Sequence, residues 1–61
     1  MNVDEAFSRL QAVRGKWKQI SDDTGLDYSW LTKFGQRKIK NPGARKIERL
    51  ASHPLIRDQA A

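Results

Sequence analysis

A set of polar side chains recurs at helical spacing between residues 28 and 36, and their types suit hydrogen bonds to base edges in DNA. The set comprises Tyr28, Ser29, Thr32, Lys33 and Gln36. Hydroxyl groups donate or accept, glutamine pairs with adenine through two bonds, and lysine reaches guanine. We predict that these residues contact bases, the alternative being an ordinary solvated helix face. For Tyr28, half-burial within the domain is an equally good interpretation.

A second set of residues is predicted to contact DNA phosphates. Its members lie at the start of the second predicted helix or in the loop before the fourth, and they are Lys16, Trp17, Lys18, Arg37, Lys38, Lys40 and Asn41. The first N–H groups of a helix have no partner and attract anions, which favours phosphate at these positions. Trp17 and Trp30 could instead stack on unpaired bases. Core packing is the favoured interpretation for Trp30, and less strongly for Trp17.

The positive charges are concentrated in one part of the chain. Twelve Lys and Arg stand against seven Asp and Glu, giving a net charge of +5. Between Lys33 and Arg49 lie seven cations and a single acid, Glu48. A solvated helix face normally mixes both signs, so this segregation favours a polyanionic partner. Arg45 and its neighbours Lys46 and Arg49 could equally be solvated or act through the long-range field.

The sequence offers little that could carry catalysis. His53 is the only histidine, and the chain has no cysteine. The adjacent carboxylates of Asp22 and Asp23 would point about 100° apart on a helix, so they do not converge on one site. No glycine-rich phosphate loop or metal-ligand spacing is present. We therefore expect no catalytic residue, cofactor, metal or small-molecule ligand.

Apolar spacing predicts one small all-α domain over residues 1–61, built as a bundle of four to five short helices. The first helix begins with Asn2 as its cap and ends near Arg14, with Gly15 supplying the positive φ of a helix stop. The second begins near Trp17 and ends at Gly25 in the same way. Leu26 is expected to be buried in the turn that follows.

The third helix is predicted from about Tyr28 to Phe34, with Asp27 as its N-cap. Its inner side carries the apolar residues Trp30, Leu31 and Phe34. Two helices joined by a short glycine-containing turn, the second with exposed polar side chains, match the helix-turn-helix pattern that enters the major groove.

After a basic loop over residues 35–40, a fourth helix is predicted with Asn41 as N-cap and Pro42 at its first position. Ile47, Leu50 and Ala51 give its inner side, and it ends at His53-Pro54. Leu55 and Ile56 could add a further turn, and residues 57–61 are expected to form a frayed tail.

From Ala6 to Ser52, the chain resembles the helix-turn-helix domain of phage Cro and repressor proteins and their bacterial relatives. The resemblance is carried by the basic stretch RKIKNP and by Ile20, Thr24, Gly25, Leu26, Leu31 and Phe34. The chain departs from the family pattern at Ser21, often alanine, and at Trp17, often a glutamine.

The resemblance implies base contacts by Tyr28, Ser29, Thr32 and Lys33, and phosphate contacts around residues 37–41. It also implies a transcriptional repressor that occupies a pseudo-palindromic operator as a homodimer. We expect that dimer to be weak or absent without DNA, with Ile39, Leu55 and Ile56 as candidate contacts.

We expect a cytoplasmic protein of a bacterial host, encoded by the host itself or by a phage or prophage, with no membrane partner. The alternative function is a helical protein-interaction module, antitoxin-like or polymerase-binding, whose basic face is incidental.

Overall fold

The computed structural model describes residues 1–59, and every regular element in that range is helical. In chain order the elements are α1 (Val3–Ala12), a short 3₁₀ turn (Arg14–Lys16), α2 (Trp17–Thr24), α3 (Tyr28–Gly35), α4 (Ala44–Ala51) and α5 (Pro54–Arg57). The predicted all-α bundle of short helices is therefore confirmed. Within residues 1–59, no helix is both long enough and apolar enough to cross a bilayer.

The first helix begins as predicted but ends differently. The Asn2 side chain accepts the N–H of Glu5 at 2.7 Å, which caps α1. The helix stops at Ala12, because the Val13 N–H turns back to the Leu10 carbonyl and the chain tightens into the 3₁₀ turn. Gly15 lies inside that turn without a positive φ, so the predicted glycine stop is wrong.

The junction between α2 and α3 follows the local signals of the sequence. Gly25 has a φ of 78°, and its N–H donates to the Ser21 carbonyl at 2.9 Å, which ends α2. The Asp27 carboxylate then accepts the Ser29 N–H at 2.9 Å and caps α3. Both predictions are confirmed. A three-residue connection thus fixes the direction in which α3 leaves α2.

The start of α4 lies later than predicted. Gly43, with a φ of 85° and a ψ of 134°, is the residue before the helix, and Ala44 is its first residue. Asn41 is therefore not the N-cap, and Pro42 is a buried loop residue rather than the first residue of the helix. Gly35, predicted in the loop, is the last residue of α3.

The core lies where the inner sides of the five helices meet. Its buried apolar residues are Ala6, Leu10, Trp17, Ile20, Leu26, Trp30, Leu31, Phe34, Ile47, Leu50 and Ile56. The predicted burial of Leu26 and Trp30 is confirmed, whereas Ala51 is half-buried.

The C-terminal segment holds more structure than the expected tail. His53 caps the short helix α5 by accepting the Leu55 N–H at its Nδ1 atom, 3.0 Å away. Arg57 is the last residue of α5, and the Gln59 side-chain amide donates to the carbonyls of Arg9 and Leu55. Residues 60 and 61, also assigned to that tail, lie outside the described residues.

Candidate nucleic-acid interface

The side of α3 that faces away from the core carries most of the residues predicted to contact bases. Ser29, Lys33 and Gln36 are exposed, and Tyr28 at the first position of the helix is half exposed. Thr32 is partly buried, and its hydroxyl donates to the Ser29 carbonyl at 2.8 Å. The predicted set therefore shares one surface, with Thr32 the least accessible member.

The opposite side of α3 is buried in the core, and this burial determines which side chains of the helix face solvent. Leu31 is fully buried, Phe34 is 3% exposed and Trp30 is 9% exposed. The Trp30 and Phe34 rings stack with their centroids 5.2 Å apart, and Phe7 of α1 meets Phe34 edge to face at 6.3 Å. Rotating α3 to hide Ser29 or Lys33 would expose these aromatic rings, so the orientation of the helix is strongly determined.

Trp17 does not belong to the phosphate-contacting set, and that part of the prediction is wrong. Its side chain is buried, and its one hydrogen-bond donor, Nε1–H, donates to the Leu10 carbonyl at 2.8 Å. The indole ring lies directly against Gly35, where a Cβ atom would overlap it. Trp17 therefore ties α2 to the ends of α1 and α3 and has no donor left for a phosphate.

The cations that flank Trp17 remain available at the surface. Lys16 ends the 3₁₀ turn and Lys18 lies in the first turn of α2, and both are exposed. The N–H groups of that first turn add a partial positive charge beside them. Of the three residues at the start of α2 that are predicted to contact phosphates, two are thus exposed.

The residues of the α3–α4 loop that are predicted to contact phosphates fall into two groups, those that are exposed and Arg37, which packs against α1. Lys38, Lys40 and Asn41 are exposed. Arg37, with a positive φ of 57°, instead turns back to α1. Its guanidinium lies 4.0 Å from the centroid of the Phe7 ring, and Nη1 is 3.4 Å from Oδ1 of Asp4. The charge of Arg37 is thus partly compensated within the domain.

Two hydroxyl side chains brace the α2–α3 connection, and the sequence prediction missed this role. Ser21 Oγ donates to the Leu26 carbonyl at 2.5 Å. Thr24 Oγ1 donates to the Ile20 carbonyl and accepts the Leu26 N–H at 3.2 Å. The available signal was the pair of hydroxyl residues in the last turn of a helix, where they bond to nearby backbone groups.

His53 joins three helices. Because the Leu55 N–H donates to Nδ1, that nitrogen carries no proton in the neutral ring. Nε2 therefore holds the proton and donates to Oδ2 of Asp23, 2.8 Å away on α2. The ring is 6% exposed and both nitrogens are engaged, so His53 is a structural link between α2, α4 and α5. Within residues 1–59, no group of three or more His, Cys, Asp or Glu side chains is arranged to hold a metal ion.

The cationic residues of α4 line a groove beside the α2–α3 connection. The groove encloses about 760 Å³ and is bordered by Gly25, Leu26, Asp27, Arg45, Lys46, Glu48, Arg49 and Ser52. Lys46 also places its Nζ 5.5 Å from the Trp30 ring centroid. A cationic surface is thus present at the N-terminal end of α3 as well as in the loop at its C-terminal end.

Comparison of the chain with models of known protein families, with curated protein sequences and with solved structures finds no match.

Proposed function

We propose that the chain is a helix-turn-helix protein that binds double-stranded DNA at specific sequences, with α3 as the helix that enters the major groove. The observation that carries the proposal is the division of α3 into two sides. Its apolar side, with Leu31 and Phe34, is buried, while Ser29, Lys33 and Gln36 project from the domain. These side chains are of the types that hydrogen-bond to base edges.

The surroundings of α3 support the same function. Exposed lysines lie at the start of α2 and in the loop after α3, namely Lys16, Lys18, Lys38 and Lys40. Contacts of lysine with phosphate position a protein on the duplex and supply affinity without reading sequence. The capped, braced turn between α2 and α3 holds the base-contacting helix rigid, which limits the entropy lost on binding.

The biological role we propose is that of a transcriptional repressor of the phage Cro type. Two copies would occupy a pseudo-palindromic operator and block access of the polymerase. A pair of reading helices on one face of the duplex requires half-site centres about 34 Å apart, which is one turn of DNA.

The test is selection of bound duplexes from a random-sequence pool, followed by mobility-shift titration of the recovered duplex and a scrambled competitor at several salt concentrations. We expect a recovered motif with two related half-sites and a linear fall of log affinity with log salt concentration. Failure to enrich any motif, with equal affinity for both duplexes, would refute sequence-specific binding. That outcome would favour the protein-interaction module instead.

A further inference from the structure

We propose that the groove between the α2–α3 connection and α4 is a second phosphodiester-binding site, formed chiefly by Arg45 and Arg49. This inference rests on the proposed DNA-binding function and extends it. The site would contact the DNA strand opposite to the one contacted by the loop over residues 36–43.

The groove carries three cations, Arg45, Lys46 and Arg49, against the two carboxylates of Asp27 and Glu48, so its net charge is positive. The ion pairs within residues 1–59 join Arg9 to Glu5, Arg37 to Asp4 and Arg57 to Asp58. Arg45, Lys46 and Arg49 take part in none of them, and all three are exposed. Of the two carboxylates at the groove, that of Asp27 already accepts the Ser29 N–H.

The arrangement of the two arginines suits a sugar-phosphate backbone. Arg45 and Arg49 are one helical turn apart on the outer side of α4, opposite to the buried Ile47 and Leu50. Guanidinium groups bind phosphate oxygens through two parallel N–H bonds, which a lysine cannot do. The facing wall includes Gly25, and a Cβ atom at that position would lie 3.8 Å from Nη1 of Arg49, so the guanidinium of Arg49 reaches from α4 to the α2–α3 connection.

The position of the groove determines which strand it would meet. The groove borders the N-terminal end of α3, while Lys38 and Lys40 follow its C-terminal end. An eight-residue helix is about 12 Å long, and the major groove is about 12 Å wide. With α3 lying across the major groove, a cationic surface at each end of the helix would face one of the two backbones that border it.

The first measurement is the salt dependence of binding to an operator and to a random duplex for Arg45→Gln, Arg49→Gln and the double variant. Each single substitution is expected to lower the slope of log affinity against log salt by about 0.9, and the double variant by about twice that. Affinity should fall by the same factor on both duplexes. The control is Arg57→Gln, which removes one exposed positive charge from α5, an element that does not border the groove, and should leave the slope unchanged.

The second measurement is ethylation interference, which identifies the phosphates that each variant still needs. Within each half-site, the wild-type protein should require phosphates on both strands. Within each half-site, Arg45→Gln and Arg49→Gln should lose the requirement on one strand, and Lys38→Gln and Lys40→Gln on the other. Loss on the same strand of a half-site for both pairs would overturn the inference.

The outcomes separate the two proposals. If the wild-type protein binds DNA but the groove variants keep its slope, or shift it no more than Arg57→Gln does, the groove is not a phosphate site and the proposed function stands. If the wild-type protein binds no duplex at all, the proposed function fails and the groove inference fails with it. Thermal unfolding by circular dichroism shows whether each variant is folded, and an exposed-arginine substitution is expected to remain so.

Discussion

At the scale of single residues, Lys33 and Lys40 have the same charge but different positions relative to the proposed interface. Lys33 projects from α3, whereas Lys40 lies in the following loop. We expect Lys40→Ala to weaken binding to every duplex alike and to lower the salt slope by about 0.9. Lys33→Ala should instead reduce discrimination at one base pair by about 1–3 kcal/mol. Mobility-shift titration against single-base operator variants measures both effects, and unchanged binding in both variants would show that the wrong face had been assigned.

Gly35 contributes to stability because the indole ring of Trp17 lies directly against it. A Cβ at this position would overlap the six-membered ring of Trp17, which is held in place by its hydrogen bond to Leu10. We expect Gly35→Ala to lower the free energy of unfolding by about 1–3 kcal/mol, because the ring cannot retreat without losing that bond. Urea denaturation followed by circular dichroism gives the value.

Gly15→Ala is the matched control for Gly35→Ala. A Cβ there would meet no heavy atom within 4 Å, and its φ is not positive. This substitution should be neutral or stabilise the protein by up to about 1 kcal/mol, through lower entropy of the unfolded chain. Equal stabilities of the two variants would contradict the close contact between Trp17 and Gly35.

At the scale of elements, the N-cap residue of α3, Asp27, contributes both a backbone hydrogen bond and a negative charge to the start of the helix. Asp27→Ala removes the acceptor of the Ser29 N–H and should cost about 1 kcal/mol in unfolding free energy. Asp27→Asn keeps an equally good cap while removing a negative charge beside the proposed interface. We therefore expect this variant to match the wild type in stability and to bind DNA more tightly. Weaker binding by Asp27→Asn, with stability retained, would mean that the carboxylate itself accepts a hydrogen bond from a base, such as the cytosine amino group.

The sequence predicted well those helix ends that depend on interactions between residues close together in the chain. Asn2, Gly25 and Asp27 act on backbone groups only two to four residues away, so their roles could be predicted without knowledge of the fold. The two sides of α3 were predictable for the same reason, since helical spacing alone separates Leu31 and Phe34 from Ser29 and Lys33.

The errors arose where distant parts of the chain meet. Trp17 was assigned to phosphate from its place at the start of a helix, but its burial depends on Gly35, eighteen positions later. Asn41 and Pro42 formed a strong local cap signal. Pro42 is nevertheless buried in the loop, and α4 begins only after Gly43, where the chain changes direction. Tertiary packing overrode the local preference in each case, which the sequence pattern alone does not reveal.

At the scale of the whole molecule, the described surface offers little for a stable free dimer. Ile56, a candidate dimer contact from the sequence, is fully buried, and Ile39 and Leu55 are partly buried against the core. The chain has an accessible surface of 4233 Å², and a standard interface takes about 800 Å² from each partner, which is roughly a fifth of it. Within residues 1–59, the large hydrophobic side chains that are exposed are Met1, Val3 and Tyr28.

We therefore expect a monomer at micromolar concentration and two protomers together only on the operator. Sedimentation velocity with and without the selected duplex measures both states. In this assembly each protomer would read one half-site on the same face of the DNA, so inserting about 5 base pairs between half-sites should abolish cooperative binding, and inserting about 10 should return both protomers to one face. A stable dimer without DNA would contradict this assembly. Cooperativity that persists after the half-turn insertion would also contradict it, because the insertion rotates one protomer to the opposite side of the duplex and the two protomers then lose contact.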